Sequence, residues 1–502
     1  MKSICTLLMI TLSLNLLAQI TYADIEGRLT ISLPEDETSI HIGRNAGINQ
    51  DPQLELANVL LGYNSGMSMT TGGGNCFFGS FSGVGNTTGS YNTFYGTTSG
   101  SDNTIGDFNS FYGHSAGANN ISGVENCIFG YQAGYSAESE SYNSYFGLKS
   151  GRNAIGNENS FFGWSSGSEN NGGENSFFGE GSGHNNDGQA NCFFGVGAGE
   201  NNVGTTNCFY GVLAGRDNNQ GSNNNYYGFE AGMFGDGGGN NFFGANAGKS
   251  SVGTENSFFG HFAGQQNAGE QNSFFGSFSG NSANGNFNTH MGLLSGEKSI
   301  GTNNVMIGNA SGQNNDGFTN TLMGARSGIS NDGNSNTIIG AYSGEENQGD
   351  ENTMTGYAAG FNNTGDYNSF YGSFSGEGSS GNFNSFVGYG SGQNNQGSVN
   401  SFFGYGAGSK NLGVNNNFFG GGAGLMHKQG DRNNFFGSGA GSEDTSGYAN
   451  NFFGYGAGGN NKNGHQNSAF GNLALINASD RSFNVAVGDS SMYHVGNNLP
   501  NP

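Results

Sequence analysis

One phrase recurs along this chain: an Asn, a small polar residue, two large apolar residues and a Gly. It stands as Asn159-Ser160-Phe161-Phe162-Gly163, then Asn175-Ser176-Phe177-Phe178-Gly179. Asn191-Cys192-Phe193-Phe194-Gly195 and Asn207-Cys208-Phe209-Tyr210-Gly211 follow. A second Gly lies four residues beyond the closing Gly, as at Gly167, Gly183, Gly199 and Gly215, and follows Ala or Ser; the last rungs carry Ala474-Leu475 and Ser491-Met492 instead, as atypical terminal repeats do. The step is 16 residues from Gly163 to Gly211 and from Gly228 to Gly420, and mostly 17 elsewhere. A fixed period marks stacked units that bury their apolar surface against one another. The pattern predicts an all-β parallel β-roll or β-solenoid of about 28 rungs with a 16–17-residue period, spanning residues 39–495.

Each apolar pair defines a strand, since Phe-Phe, Ile128-Phe129, Met306-Ile307 and Phe386-Val387 suit extended backbone. Neighbouring strand residues point to opposite faces, so two large apolar neighbours predict two buried faces. One enters the interior of the coil. The other enters a second interface, within the chain or with another chain. Glycine-rich turns lose much conformational freedom on folding. A lone coil is therefore expected to be marginal, which favours a multimer.

The polar residues follow the same period. The Asn before each strand and the Asn of each loop are expected to stack on their own copies and hydrogen-bond along the array. The extra residue of the longer rungs falls in the loop, as Gly183–Gly188 against Gly83–Gly89 shows, and marks an exposed corner. Proline occurs only at Pro34, Pro52, Pro500 and Pro502, so none interrupts the regular array. Residues 24–38 do not fit the period and read as a lead-in or cap; 496–502 read as a C-terminal tail.

Residues 1–23 read as a secretory signal: Lys2, an apolar run from Ile4 to Ala18, and Ala23 at the end of the cleaved piece. The mature chain is expected to be secreted, to lie outside the cell or on its surface, and to carry no transmembrane segment. The net charge is -23 with only 14 Lys and Arg. That disfavours nucleic acid, whose phosphates need a basic footprint, and anionic lipid surfaces.

Cys5 falls in the signal. Cys76, Cys127, Cys192 and Cys208 all occupy the small-residue slot before an apolar pair, as substitutes for Ser or Thr rather than as a disulfide framework. Cys192 and Cys208 stand one rung apart, about 4.8 Å in a stacked coil, within reach of a disulfide. Whether they are bridged stays open at this level.

The chain contains no nucleophile elbow, P-loop, HExxH or paired-Cys zinc pattern. His184, His261 and His290 occupy different repeat slots, and Trp164 simply follows a closing Gly. The period is not that of nonapeptide calcium repeats. Asp187, Asp217, Asp316 and Asp332 are scattered among Asn-rich loops, too sparse for regular calcium sites. No cofactor, catalytic residue or metal ligand is assigned, binding residues stay unknown, and any calcium is expected only at weak surface sites.

The strand–Gly–small–Gly phrase resembles the YadA-like head repeats of trimeric autotransporter adhesins, and also repeats in tail-fibre-like proteins. Ser257-Phe258-Phe259-Gly260 with Ala263-Gly264 carries the resemblance, as does Ser482-Phe483-Asn484-Val485-Ala486-Val487-Gly488. The resemblance implies a left-handed roll, a homotrimer, and binding to host-cell or matrix glycans and proteins. Aromatics replace the family's small aliphatics over most of the array, and neither a heptad stalk nor a membrane-barrel anchor is expected in this chain. The function expected is that of an exported, rod-like, non-enzymatic adhesin or surface-structural protein acting by multivalent binding through repeated loops. Rival expectations are a self-assembling extracellular matrix fibre and an ice- or glycan-binding β-solenoid.

Overall fold

A computed structural model describes residues 23–25, 29–32 and 38–493. Residues 1–22 of the expected signal and the tail 496–502 lie outside the described residues. The chain divides into two compact units, one ending at Ser250 and the other beginning at Ser251. Each is a parallel β-solenoid, and no helix occurs among the described residues.

The first unit carries thirteen three-residue solenoid strands, from β3 (Ile40–Ile42) to β15 (Asn241–Phe243). The second carries fifteen, from β16 (Ser257–Phe259) to β30 (Val485–Val487). Within a unit each strand pairs in parallel with the next, so equal repeat positions stand beside one another. Between β10 (Ser160–Phe162) and β11 (Ser176–Phe178), Ser160 faces Ser176, Phe161 faces Phe177 and Phe162 faces Phe178. At the start of the first unit β1 (Ala23–Ile25) runs antiparallel to β2 (Leu29–Ser32), which runs antiparallel to β3.

The middle residue of each strand fills the core. Phe161, Phe177, Phe193 and Phe209 are fully buried, and their rings stack at 4.7–4.8 Å, within 4° of parallel. In-register pairing sets that spacing, because strands lie about 4.8 Å apart. Two glycines close the coil around the ring. At Gly163 (φ +134) a Cβ would lie 2.5 Å from the Gly179 carbonyl oxygen. At Gly167 (φ +62) it would lie 2.2 Å from the Phe161 ring. The neighbour of the second glycine is small for the same reason, and Ser166 bonds its hydroxyl to the Phe177 carbonyl at 3.3 Å.

Asparagine ties rung to rung, as its period implied. Asn159 Oδ1 accepts the Asn175 backbone N–H at 3.0 Å, and its Nδ2 donates to the Gly172 carbonyl at 3.1 Å. The loop asparagines form a second column, with Asn186 Nδ2 donating to Asn170 Oδ1 at 2.8 Å. In 16-residue rungs the loop amide also reaches the carbonyl two residues on, as Asn186 reaches Gly188. In 17-residue rungs it reaches three residues on, as Asn103 reaches Gly106. The insertion therefore lies between loop Asn and loop Gly, at the exposed corner.

Non-glycine residues with positive φ recur at three places per rung, and the sequence did not announce them. Ser165, Glu169 and Glu174 stand at φ 53, 61 and 61. Each donates its N–H to the preceding rung, to Leu148, Arg152 and Asn157 carbonyls, at 2.9 Å. Left-handed backbone costs roughly 1 kcal/mol per residue. Here it turns amides along the stacking direction, where carbonyls of the neighbouring rung receive them.

Candidate functional site

The first and third residues of each strand point away from the core and form two columns on an outer face. The third column is aromatic through much of the first unit. Phe162 and Phe178 stack at 4.6 Å, Phe178 and Phe194 at 5.6 Å, and Tyr210 and Tyr227 at 4.9 Å. In the second unit Phe403, Phe419, Phe436 and Phe453 stack at 4.6–4.8 Å. The expectation that both members of the apolar pair are buried is corrected within one chain. Phe194 is 52% exposed and Tyr95 56%, whereas the inner Phe193 and Phe94 are 0%. Outer rings shield one another along the column, but the remaining side of each meets solvent.

The first column is small and polar except at Ile40, Val59, Val305 and Val485. It holds Ser160, Ser176, Cys192 and Cys208 in the first unit, and Thr321, Thr337 and Thr353 in the second. Where it holds Asn, amides bond along the column: Asn225 to Asn241 at 2.9 Å, and Asn434 to Asn451 at 2.8 Å. The outer face is thus a stripe of apolar rings beside a stripe of hydroxyls, thiols and amides.

Cys76, Cys127, Cys192 and Cys208 are unbridged thiols. Cys192 and Cys208 face each other across β12 (Cys192–Phe194) and β13 (Cys208–Tyr210), and Cys208 Sγ lies 3.9 Å from the Tyr227 hydroxyl. Burial pushes the Cys76, Cys127 and Cys208 thiols above their ordinary value. That keeps them protonated and poorly nucleophilic at neutral pH.

The other singled-out residues do not converge. His184 sits at a corner, its Nδ1 3.1 Å from the Ser168 carbonyl. His261 packs edge-on against Phe262, 4.0 Å between ring centroids. His290 occupies an inner slot, stacked 4.4 Å from Phe274. Full burial, with neither ring nitrogen hydrogen-bonded, pushes its pKa down to about 3. It is a neutral core ring rather than an acid–base group. Asp187 and Asp217 accept Asn171 and Asn201 amides at 2.6 and 2.7 Å. Among the described residues no group of three or more His, Cys, Asp and Glu is placed to hold a metal ion.

Position-by-position reading overlooked one pair. His427 and Asp444 take two successive slots of the loop-asparagine column, both fully buried, with Nδ1 and Oδ1 3.5 Å apart. Asp444 also accepts the Gly447 N–H at 2.7 Å and the Asn450 and Asn461 amides at 3.1 and 3.0 Å. The signal was present in the aligned loops, where Asn411 and Asn461 flank the two substitutions.

No protein-family model matches this chain, and no curated protein matches it significantly.

Proposed function

We propose that the protein is an exported, non-enzymatic adhesin or surface-structural protein that acts by multivalent contact and assembles as a homotrimer. The observation that carries this reading is the in-register repetition of one surface. Parallel pairing places chemically equivalent outward residues beside one another strand after strand in each unit. A repeated surface multiplies weak contacts, because each further contact forms at high effective concentration.

The outer aromatic stripe suits assembly. Soluble monomers rarely expose long contiguous apolar patches, and such patches mark interaction surfaces. Copies meeting through this stripe would bury the half-covered rings, leaving the Asn-, Ser- and acid-bearing loops for host-cell or matrix glycans and proteins. The resemblance to YadA-like heads supports three copies and a left-handed roll, and the expected signal at residues 1–23 supports export.

Multivalency is tested by dissociation from surfaces coated with matrix proteins or glycans at graded density. This reading predicts dissociation that slows steeply as ligand density rises. A single density-independent off-rate would contradict it.

A further inference from the structure

Within the first unit one notch departs from the repeat; in the second unit the same slot is glycine at Gly390, Gly406, Gly422, Gly439 and Gly456, but no tryptophan stands beside it there. Two residues beyond the closing Gly, the corner carries a side chain in neighbouring rungs: Ser165 before the notch and Leu213 after it. In the two rungs between them that slot is Gly181 and Gly197. The backbone is the same throughout, with φ of 53 and 59 at Ser165 and Leu213 and of 63 and 61 at the two glycines. Glycine is therefore not needed there for conformation. Its effect is to remove side chains. A Cβ at Gly181 would meet nothing within 4 Å.

The space left is a cavity of about 310 Å³. Trp164, Val196 and Leu213 supply its apolar lining; Glu180, Glu200 and His184 supply its polar lining. Trp164 is the one tryptophan of the chain and is 51% exposed. Arg216 Nε lies 3.4 Å from Glu200 Oε2 and 3.3 Å from Asp217 Oδ2, so the guanidinium is shared between those carboxylates. No ion pair reaches the Glu180 carboxylate among the described residues.

We propose that the Gly181–Gly197 notch is a binding site for an organic ammonium group carried on a short apolar stem. The ammonium would be held by the Trp164 indole and the Glu180 carboxylate, and the stem by Val196 and Leu213. Charge selects the class: Glu200 shares the Arg216 cation, whereas the Glu180 carboxylate lines the notch without an ion pair among the described residues, together with an indole, which is the best ring for attracting a cation. The proposal rests on the notch alone and is independent of the multivalent reading.

The single tryptophan makes the site its own reporter. Trp164 emission is followed in the full chain at constant ionic strength during titration with choline and, separately, with its neutral isostere 3,3-dimethylbutan-1-ol. The expected result is a saturable change with choline, at least about fivefold tighter than with the alcohol. Glu180→Gln should weaken choline by about fivefold, and Gly181→Leu, which fills the space at a φ that Leu213 already tolerates, should abolish the response. A linear, unsaturable response, equal responses to choline and the alcohol, or unchanged binding by Gly181→Leu would overturn the proposal. Glu180→Gln adds no side-chain bulk, so it tests the charge separately from the shape.

Discussion

Within the second unit two stretches of core can be compared directly. From Phe386 through Phe402, Phe418 and Phe435 the inner column is a stack of rings 4.7–4.9 Å apart. From β19 (Val305–Ile307) to β22 (Thr353–Thr355) the same column is Met306, Leu322, Ile338 and Met354, all fully buried. The polar frame around them does not change. Asn320, Asn336 and Asn352 each donate their backbone N–H to Oδ1 of the Asn one rung before, at 2.8 Å; Asn400 and Asn416 do so at 2.9 Å. The comparison teaches that ring stacking is one way to fill the coil and not what closes it. Asparagine columns and glycine corners set the geometry; the inner slot asks only for apolar volume.

The largest expected effect comes from emptying that slot. Phe402→Ala and Leu322→Ala should each destabilise their neighbourhood by about 3–5 kcal/mol, read by amide hydrogen exchange of the flanking strands. If only the aromatic site responded, stacking itself would be the source of stability and the comparison would fail. Next come the asparagines. Asn336→Ala strands the Asn352 N–H and leaves the Gly349 carbonyl to the Asn347 amide alone, and Asn400→Ala strands the Asn416 N–H and leaves the Gly413 carbonyl to the Asn411 amide alone. Each should cost about 2 kcal/mol, equally in both stretches. Unequal losses would show that the frame depends on the core it surrounds.

His290 lies between Phe274 and Met306 in the paired strands of the same unit, and supplies a pH test. Its folded pKa of about 3 lies below the ordinary 6.5. Between those values the unfolded chain binds a proton that the folded chain does not. Stability is therefore full above pH 6.5 and falls by about 1.4 kcal/mol per pH unit as pH drops towards 3. His290→Phe should remove that component and, at pH 7, add about 1–3 kcal/mol by eliminating two buried ring nitrogens without partners. The difference between wild-type and variant denaturation midpoints across pH 4–7 isolates the effect; a constant difference would refute it.

The smallest effect on the chain itself belongs to the outer column. Phe403→Ser should change the stability of an isolated chain by less than about 1 kcal/mol, because its ring is already partly exposed. The same change should weaken assembly, measured as the concentration at which the oligomer dissociates. A large loss of stability in the isolated chain would mean that the outer stack is part of the fold.

Much of this was legible in the sequence. The period located the strands, and the Asn and Gly positions gave the columns and corners. Which member of the apolar pair turns inward is legible too. Ser160, Cys192 and Thr321 share a face with the third strand residue, so the polar first slot marks that face as outer. The positive φ at residues such as Ser165 and Glu174 could not be read, because it is imposed by bonds to the previous rung and not by side-chain type. Gly181 and Gly197 were hidden for a different reason. In a chain with 97 glycines, two more carry no signal until their slot is compared with Ser165 and Leu213.

The measurement that bears most directly on the account is the solution mass of residues 24–502 by sedimentation equilibrium. The account predicts three times the mass of one chain, with dissociation promoted by polar substitutions in the outer aromatic column. A monomer at all concentrations, with the outer rings left in water, would contradict it.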